Sequence, residues 1–122
     1  MKAVVKKIDE VVEEEVLLSV SNIEITVFLG YSNFKIFEEV EYEVELSLMM
    51  FDDIVINEST SNKKKIVRLD NSFRHKIVGI LKEGGILDSN IQFRDDIFLE
   101  FPHLIGKFIE LEVDRIDASF ES

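Results

Sequence analysis

Cysteine is absent from the chain, and so is tryptophan. The first absence removes disulfides, thiol nucleophiles and thiolate-bound metals from consideration. Proline occurs once and glycine five times among 122 residues, which leaves little material for a flexible linker. No apolar run approaches the roughly 20 residues that a membrane-spanning helix needs. The opening MKAVVKKIDEVVEEE places acids where a secretory leader carries its apolar stretch, so the cytoplasm is the expected compartment and no membrane contact is expected. A sustained helical period with caps at both ends is also missing, as is any repeat of fixed length.

Catalytic groups are equally scarce. No serine sits in a G-x-S-x-G elbow, and the two histidines, His75 and His103, lie in separate segments, the second after Pro102 in a turn. The pairs Asp52-Asp53 and Asp95-Asp96 lack the spaced ligands and turning glycine of a cation-binding loop. Neighbouring acids on a strand point to opposite faces, which suits the protection of sheet edges better. The expectation is a non-catalytic protein with no cofactor and no metal site.

What the chain does have is core material. Apolar residues make up 46% of it, and ten phenylalanines supply bulk without polar handles. A chain of this length and composition folds, as one domain over residues 1–122. The clearest local signal is LIGKFIELEVDRIDASF, residues 104–120. Ile109, Leu111 and Val113 alternate with Glu110, Glu112 and Asp114, the period of a strand with one wet face. The parity then changes, with Ile116, Ala118 and Phe120 on the inner side. A β-bulge is therefore expected at Asp114-Arg115, with Arg115 turned outward or paired with Asp114 or Asp117.

Residues 40–48 carry the longest alternation, with Glu41, Glu43, Glu45 and Ser47 outside. Residues 16–30 fit a hairpin turning at Ser21-Asn22, because Val20 then faces Ile23, Leu18 faces Ile25 and Val16 faces Val27. Further strands are expected over 3–12, 66–69 and 73–81, the last followed by a turn at Glu83-Gly84-Gly85. Short β pieces are expected through Ile91, Phe93, Ile97, Leu99 and Phe101, and a loop over 57–65. The expected core is built on Phe28, Phe51, Phe93, Phe98, Phe108 and Phe120.

Short strands, frequent turns and a bent closing strand indicate an all-β fold. It is a single small barrel or sandwich of about six to seven mostly antiparallel strands, with little or no helix. A long bent first strand, a hairpin, an alternating third strand, an irregular middle and a long last strand resemble the oligonucleotide/oligosaccharide-binding (OB) barrel over most of the chain. The helix usual between the third and fourth strands of that fold has no counterpart in the sequence.

Charge is unevenly spread. Lys63, Lys64, Lys65, Arg68, Arg74 and Lys76 stand against Asp70 alone in residues 63–76, a local balance of +5 in a chain whose total is −11, so the remainder carries −16. That layout disfavours nucleic acid over most of the surface and favours a basic protein partner. Glu41, Glu43 and Glu45 form one acidic ladder, and Glu110, Glu112 and Asp114 another. In an OB-like order the two strands would be neighbours, setting like charges opposite one another unless a basic partner meets them. These six acids are the expected partner-binding residues, in the manner of an inhibitor or immunity protein that shields a basic enzyme. A solvated outer sheet face is the plainer use of the same pattern. The alternative function is single-stranded nucleic-acid binding through Lys63, Lys64, Lys65, Arg68, Arg74 and Lys76, with Phe73 available for stacking.

Overall fold

Alternation in the sequence becomes strand in space. The computed structural model describes residues 1–121 and contains β1 (Lys2–Ile8), β2 (Glu15–Val20), β3 (Ile23–Ser32), β4 (Glu41–Met49), β5 (Asn57–Glu58), β6 (Lys65–Arg68), β7 (His75–Lys82), β8 (Ile86–Asp88), β9 (Gln92–Arg94), β10 (Phe108–Val113) and β11 (Arg115–Glu121). Seven of the eleven strands have six residues or more, and the other four are pieces of two to four. The helical elements among the described residues are two 3₁₀ turns, Asp96–Glu100 and Pro102–Leu104. No helix of the described residues is long and apolar enough to cross a membrane.

Five strands close into a barrel in the order β1-β2-β3-β11-β4. The pairings around the ring are antiparallel except that of β3 with β11, which is parallel. A second sheet runs β5-β10-β7-β8-β9, with β6 also laid against β7. Its strands all fall between β4 and β11 in the chain. Inward side chains of the two sheets meet in one continuous cluster, with Val5, Leu18 and Phe120 from the barrel and Ile77, Leu87 and Ile109 from the second sheet.

The hairpin over β2 and β3 has the expected register, Val20 opposite Ile23, Leu18 opposite Ile25 and Val16 opposite Val27. Ser21 and Asn22 both take positive φ, 50° and 66°, as a two-residue turn matched to strand twist requires. The parity change at Asp114-Arg115 also occurs, but it is a larger event than a bulge. There the chain leaves the second sheet and enters the barrel. Asp114 is the joint: its N–H donates to the Met49 carbonyl at 2.9 Å, and its Oδ2 accepts the Phe51 N–H at 2.7 Å. Arg115 turns outward, its Nε donating to Asp117 Oδ1 at 2.7 Å and its guanidinium lying 3.9 Å over the Phe28 ring.

Two expectations are corrected. Phe51 is not core but 61% exposed, set beside the joint with its ring 5.2 Å from Arg115. Phe93, Phe98 and Phe120 are buried, while Phe28 and Phe108 are half-buried. Ile97, Leu99 and Phe101 are not strand residues. Asp95 caps the first 3₁₀ turn, its Oδ1 accepting the Ile97 N–H at 3.0 Å, and Pro102 starts the second. A capping acid on one side and a residue without N–H on the other favour turns over a ladder.

Candidate functional site

The two acidic ladders lie in different sheets. β4 sits between β1 and β11, and β10 between β5 and β7. The β10 ladder is neutralised from within the molecule. Lys76 Nζ lies 3.0 Å from Glu110 Oε2, and Arg74 Nη2 lies 2.8 Å from Glu112 Oε2. Hydrogen bonds from Lys76 and Ser59 hold the Glu110 carboxyl below the usual range. Asp114 is engaged at the joint.

Those cations come from the basic segment, whose other members are also folded onto the body. Lys64 Nζ lies 2.9 Å from Asp88 Oδ2, and Arg68 Nη2 lies 3.1 Å from Glu15 Oε1. Asp88 also receives Lys82 at 3.1 Å and the Asn90 N–H at 3.0 Å. Lys64, the largest influence, then brings its pKa down to about 2 with help from these neighbours. Phe73 packs edge-on against Phe28 at 5.4 Å instead of standing free. Among the described residues Lys63 and Lys65 are the members of the segment without an ion pair. None of these pairings was visible in the sequence, because the partners lie far apart along it.

The β4 ladder is different. Opposite charges do not face it across β11; Glu43 pairs with Glu121, Glu45 with Ser119 and Ser47 with Asp117. The like-charge contact expected between β4 and β10 thus occurs between β4 and β11. Glu43 is compensated by the Met1 amino group at 3.0 Å and Lys2 at 3.7 Å, and the ammonium draws its pKa downward. Glu41, Glu45 and Glu121 have no ion pair among the described residues. The row through Glu45 and Ser119 continues to Tyr31 of β3, where the β3–β11 register shifts next to Gly30.

Tyr31 leads to a groove of about 540 Å³ at one end of the barrel. Ile8, Leu29, Phe34 and Ile36 line it, with Glu13 and Lys35 as its charged members. The segments around it, residues 9–14 and 33–40, are held in place by backbone bonds. Leu29 N–H donates to the Glu14 carbonyl at 2.7 Å, and Glu39 N–H to that of Val5 at 2.7 Å. Side chains add to this: Glu38 Oε2 accepts the Ile8 N–H at 3.0 Å, and the Tyr42 hydroxyl accepts the Phe37 N–H at 2.8 Å. Asp9 Oδ2 accepts the N–H groups of Val12 and Val11, which lowers its pKa.

Over residues 1–121 the chain matches the family described as Uncharacterised conserved protein UCP019853. The chain belongs to that family. No curated protein and no solved structure matches it.

A smaller cleft of about 390 Å³ separates residues 50–57 from β10 in this family member, and it holds Asp52 and Asp53 beside the paired Arg74, Lys76, Glu110 and Glu112. His75 is buried on β7, its Nδ1 2.7 Å from the Phe73 carbonyl, and burial lowers its pKa so that the ring is neutral at pH 7. Nδ1 is then the protonated nitrogen, donating to that carbonyl. His103 is exposed on the second 3₁₀ turn. Among the described residues no three His, Asp or Glu side chains converge as a metal site would need.

Proposed function

We propose that the protein is a non-catalytic interaction module that binds a basic protein partner through the outer face of β4 and β11. One observation carries this. Glu43 lies across from Glu121, and Glu41, Glu45 and Glu121 on the same face have no ion pair among the described residues, whereas Glu110 and Glu112 of the β10 ladder are both paired. Like charges opposite one another on a sheet weaken it, and a basic partner relieves that repulsion while gaining on-rate and register. A protein that shields a basic enzyme in the cytoplasm, as an inhibitor or immunity protein does, is the form of module this surface suits. The ring order β1-β2-β3-β11-β4, with β3 parallel to β11, supports an OB-like arrangement whose fourth and fifth barrel strands are separated by the second sheet.

The test is titration calorimetry with a lysine-rich peptide and, in parallel, a labelled single-stranded oligonucleotide, at low and physiological salt. The peptide is expected to bind, and Glu41→Gln, Glu45→Gln and Glu121→Gln together to weaken it roughly tenfold, about 1.4 kcal/mol. Unchanged peptide affinity, or oligonucleotide binding lost on replacing Lys63 and Lys65, would replace this function with nucleic-acid binding or remove it.

A further inference from the structure

Several exposed large apolar side chains belong to the segments that supply the lining of the end groove. Tyr31, which lines it, is 59% exposed; Phe37, next to the lining residue Ile36, is 54% exposed, Val40 is also exposed, and Val11, in the 9–14 segment, is 89% exposed. The floor beneath them is firm. The Phe34 ring lies tilted against Tyr42 at 5.6 Å, which in turn meets the buried Phe120 edge-on at 5.7 Å. A concave apolar surface with exposed aromatics, backed by core, is the anatomy of an anchor pocket at a protein interface.

Its rim says what kind of partner fits. Glu10, Glu13 and Glu14 in the 9–14 segment have no ion pair among the described residues, and Glu41 follows Val40 directly. Of the nearby cations, Lys6 is held by Glu39 at 3.1 Å and Lys35 lies 5.3 Å over the Phe37 ring. Lys7, exposed on β1, is near enough to Asp9 to lower its pKa. The groove is also continuous with the acidic barrel face, through the row Tyr31, Ser119 and Glu45.

We propose that this groove takes a large apolar side chain of the basic partner, one flanked by Lys or Arg residues that meet the acids of the rim and of β4. It rests on the acidic-face function proposed above, and the two can fail separately. Three synthetic peptides of equal length test it: one of Lys and Phe, one of Lys and Ser, and one of Glu and Phe. The Lys/Phe peptide is expected to bind tightest. Tyr31→Ser with Phe37→Ser, both on exposed side chains, should weaken it roughly tenfold while leaving the Lys/Ser peptide unaffected. Glu41→Gln with Glu45→Gln should weaken both lysine peptides. A circular-dichroism melt of each variant confirms that the fold is kept.

Equal binding of the Lys/Phe and Lys/Ser peptides, with no effect of the serine pair, would overturn the groove and leave the acidic face standing. Equal binding of the Glu/Phe peptide would make the groove a plain apolar ligand site and overturn the basic partner there. Sedimentation showing a dimer that the serine pair dissolves would name a second copy of this chain as the occupant, again overturning it. If the serine pair acts but the glutamine pair does nothing, the acidic-face function fails, and with it the basic partner.

Discussion

Asp88 and His75 each tie the second sheet to pH in a direction that can be worked out. The Asp88 carboxyl, held by Lys64, Lys82 and the Asn90 N–H, titrates at about 2 instead of its ordinary 3.8. A carboxyl whose folded pKa is depressed stabilises the fold above the unfolded pKa, and that contribution disappears as pH falls through the folded one. Urea unfolding of the native protein should therefore lose stability between pH 3.8 and about 2 on this account. Asp88→Asn should lack that loss and be about 2 kcal/mol less stable at neutral pH. The buried His75 has its pKa lowered from 6.5, so below that value the unfolded chain binds the proton more readily than the folded one. Stability should fall as pH drops through the window beneath 6.5, and His75→Gln should remove that part of the slope. Neither role was legible beforehand. Lys64 and Asp88 are 24 residues apart, and only the β7–β8 hairpin, with β6 beside it, brings them together.

At the scale of elements, what was legible was local. The β2–β3 hairpin could be read because three apolar pairs agree about one turn, and the 104–120 alternation because its period is two. Parity, however, reports only which face is inside, not which sheet a strand joins. The change at Asp114 therefore looked like a bulge, and the passage between sheets stayed hidden. Asp114→Ala should cost about 1 kcal/mol by leaving the Phe51 N–H without its acceptor. Residues 95–104 misled for another reason, since Ile97, Leu99 and Phe101 mimic a strand period while Asp95 and Pro102 impose turns. Gly79 gives the sharpest element-level prediction. It lies between the stretch of β7 paired with β6 and that paired with β8. A Cβ there would meet the Asp88 carbonyl oxygen at 2.5 Å and its carbon at 2.8 Å, both backbone. Gly79→Ala should thus lower stability by about 1–3 kcal/mol in denaturant unfolding, as overpacking does.

At the scale of the whole molecule, the sequence shows the sum of the charge but not its sorting. The basic segment looked like a free patch opposite an acidic body, and the fold lays four of its six cations onto Glu15, Asp88, Glu110 and Glu112. Among the acids that this sorting leaves without an ion pair in the described residues, Glu41, Glu45 and Glu121 share the β4–β11 face. A surface kept for a partner holds repulsion that the isolated protein does not need, so neutralising it should stabilise the free protein. Glu121→Gln is expected to raise the melting temperature modestly, by removing a like charge opposite Glu43. The same change should weaken binding of a lysine-rich probe.

The most direct test is an amide-resolved NMR titration of the isotopically labelled protein with a lysine-rich peptide at low salt. Shifts are expected to gather at Glu41, Glu43 and Glu45, along residues 117–121 and at Tyr31, and to fade as salt is raised. Shifts confined to residues 63–76 or to the cleft beside β10, or no shifts at all, would contradict the acidic barrel face as the binding surface.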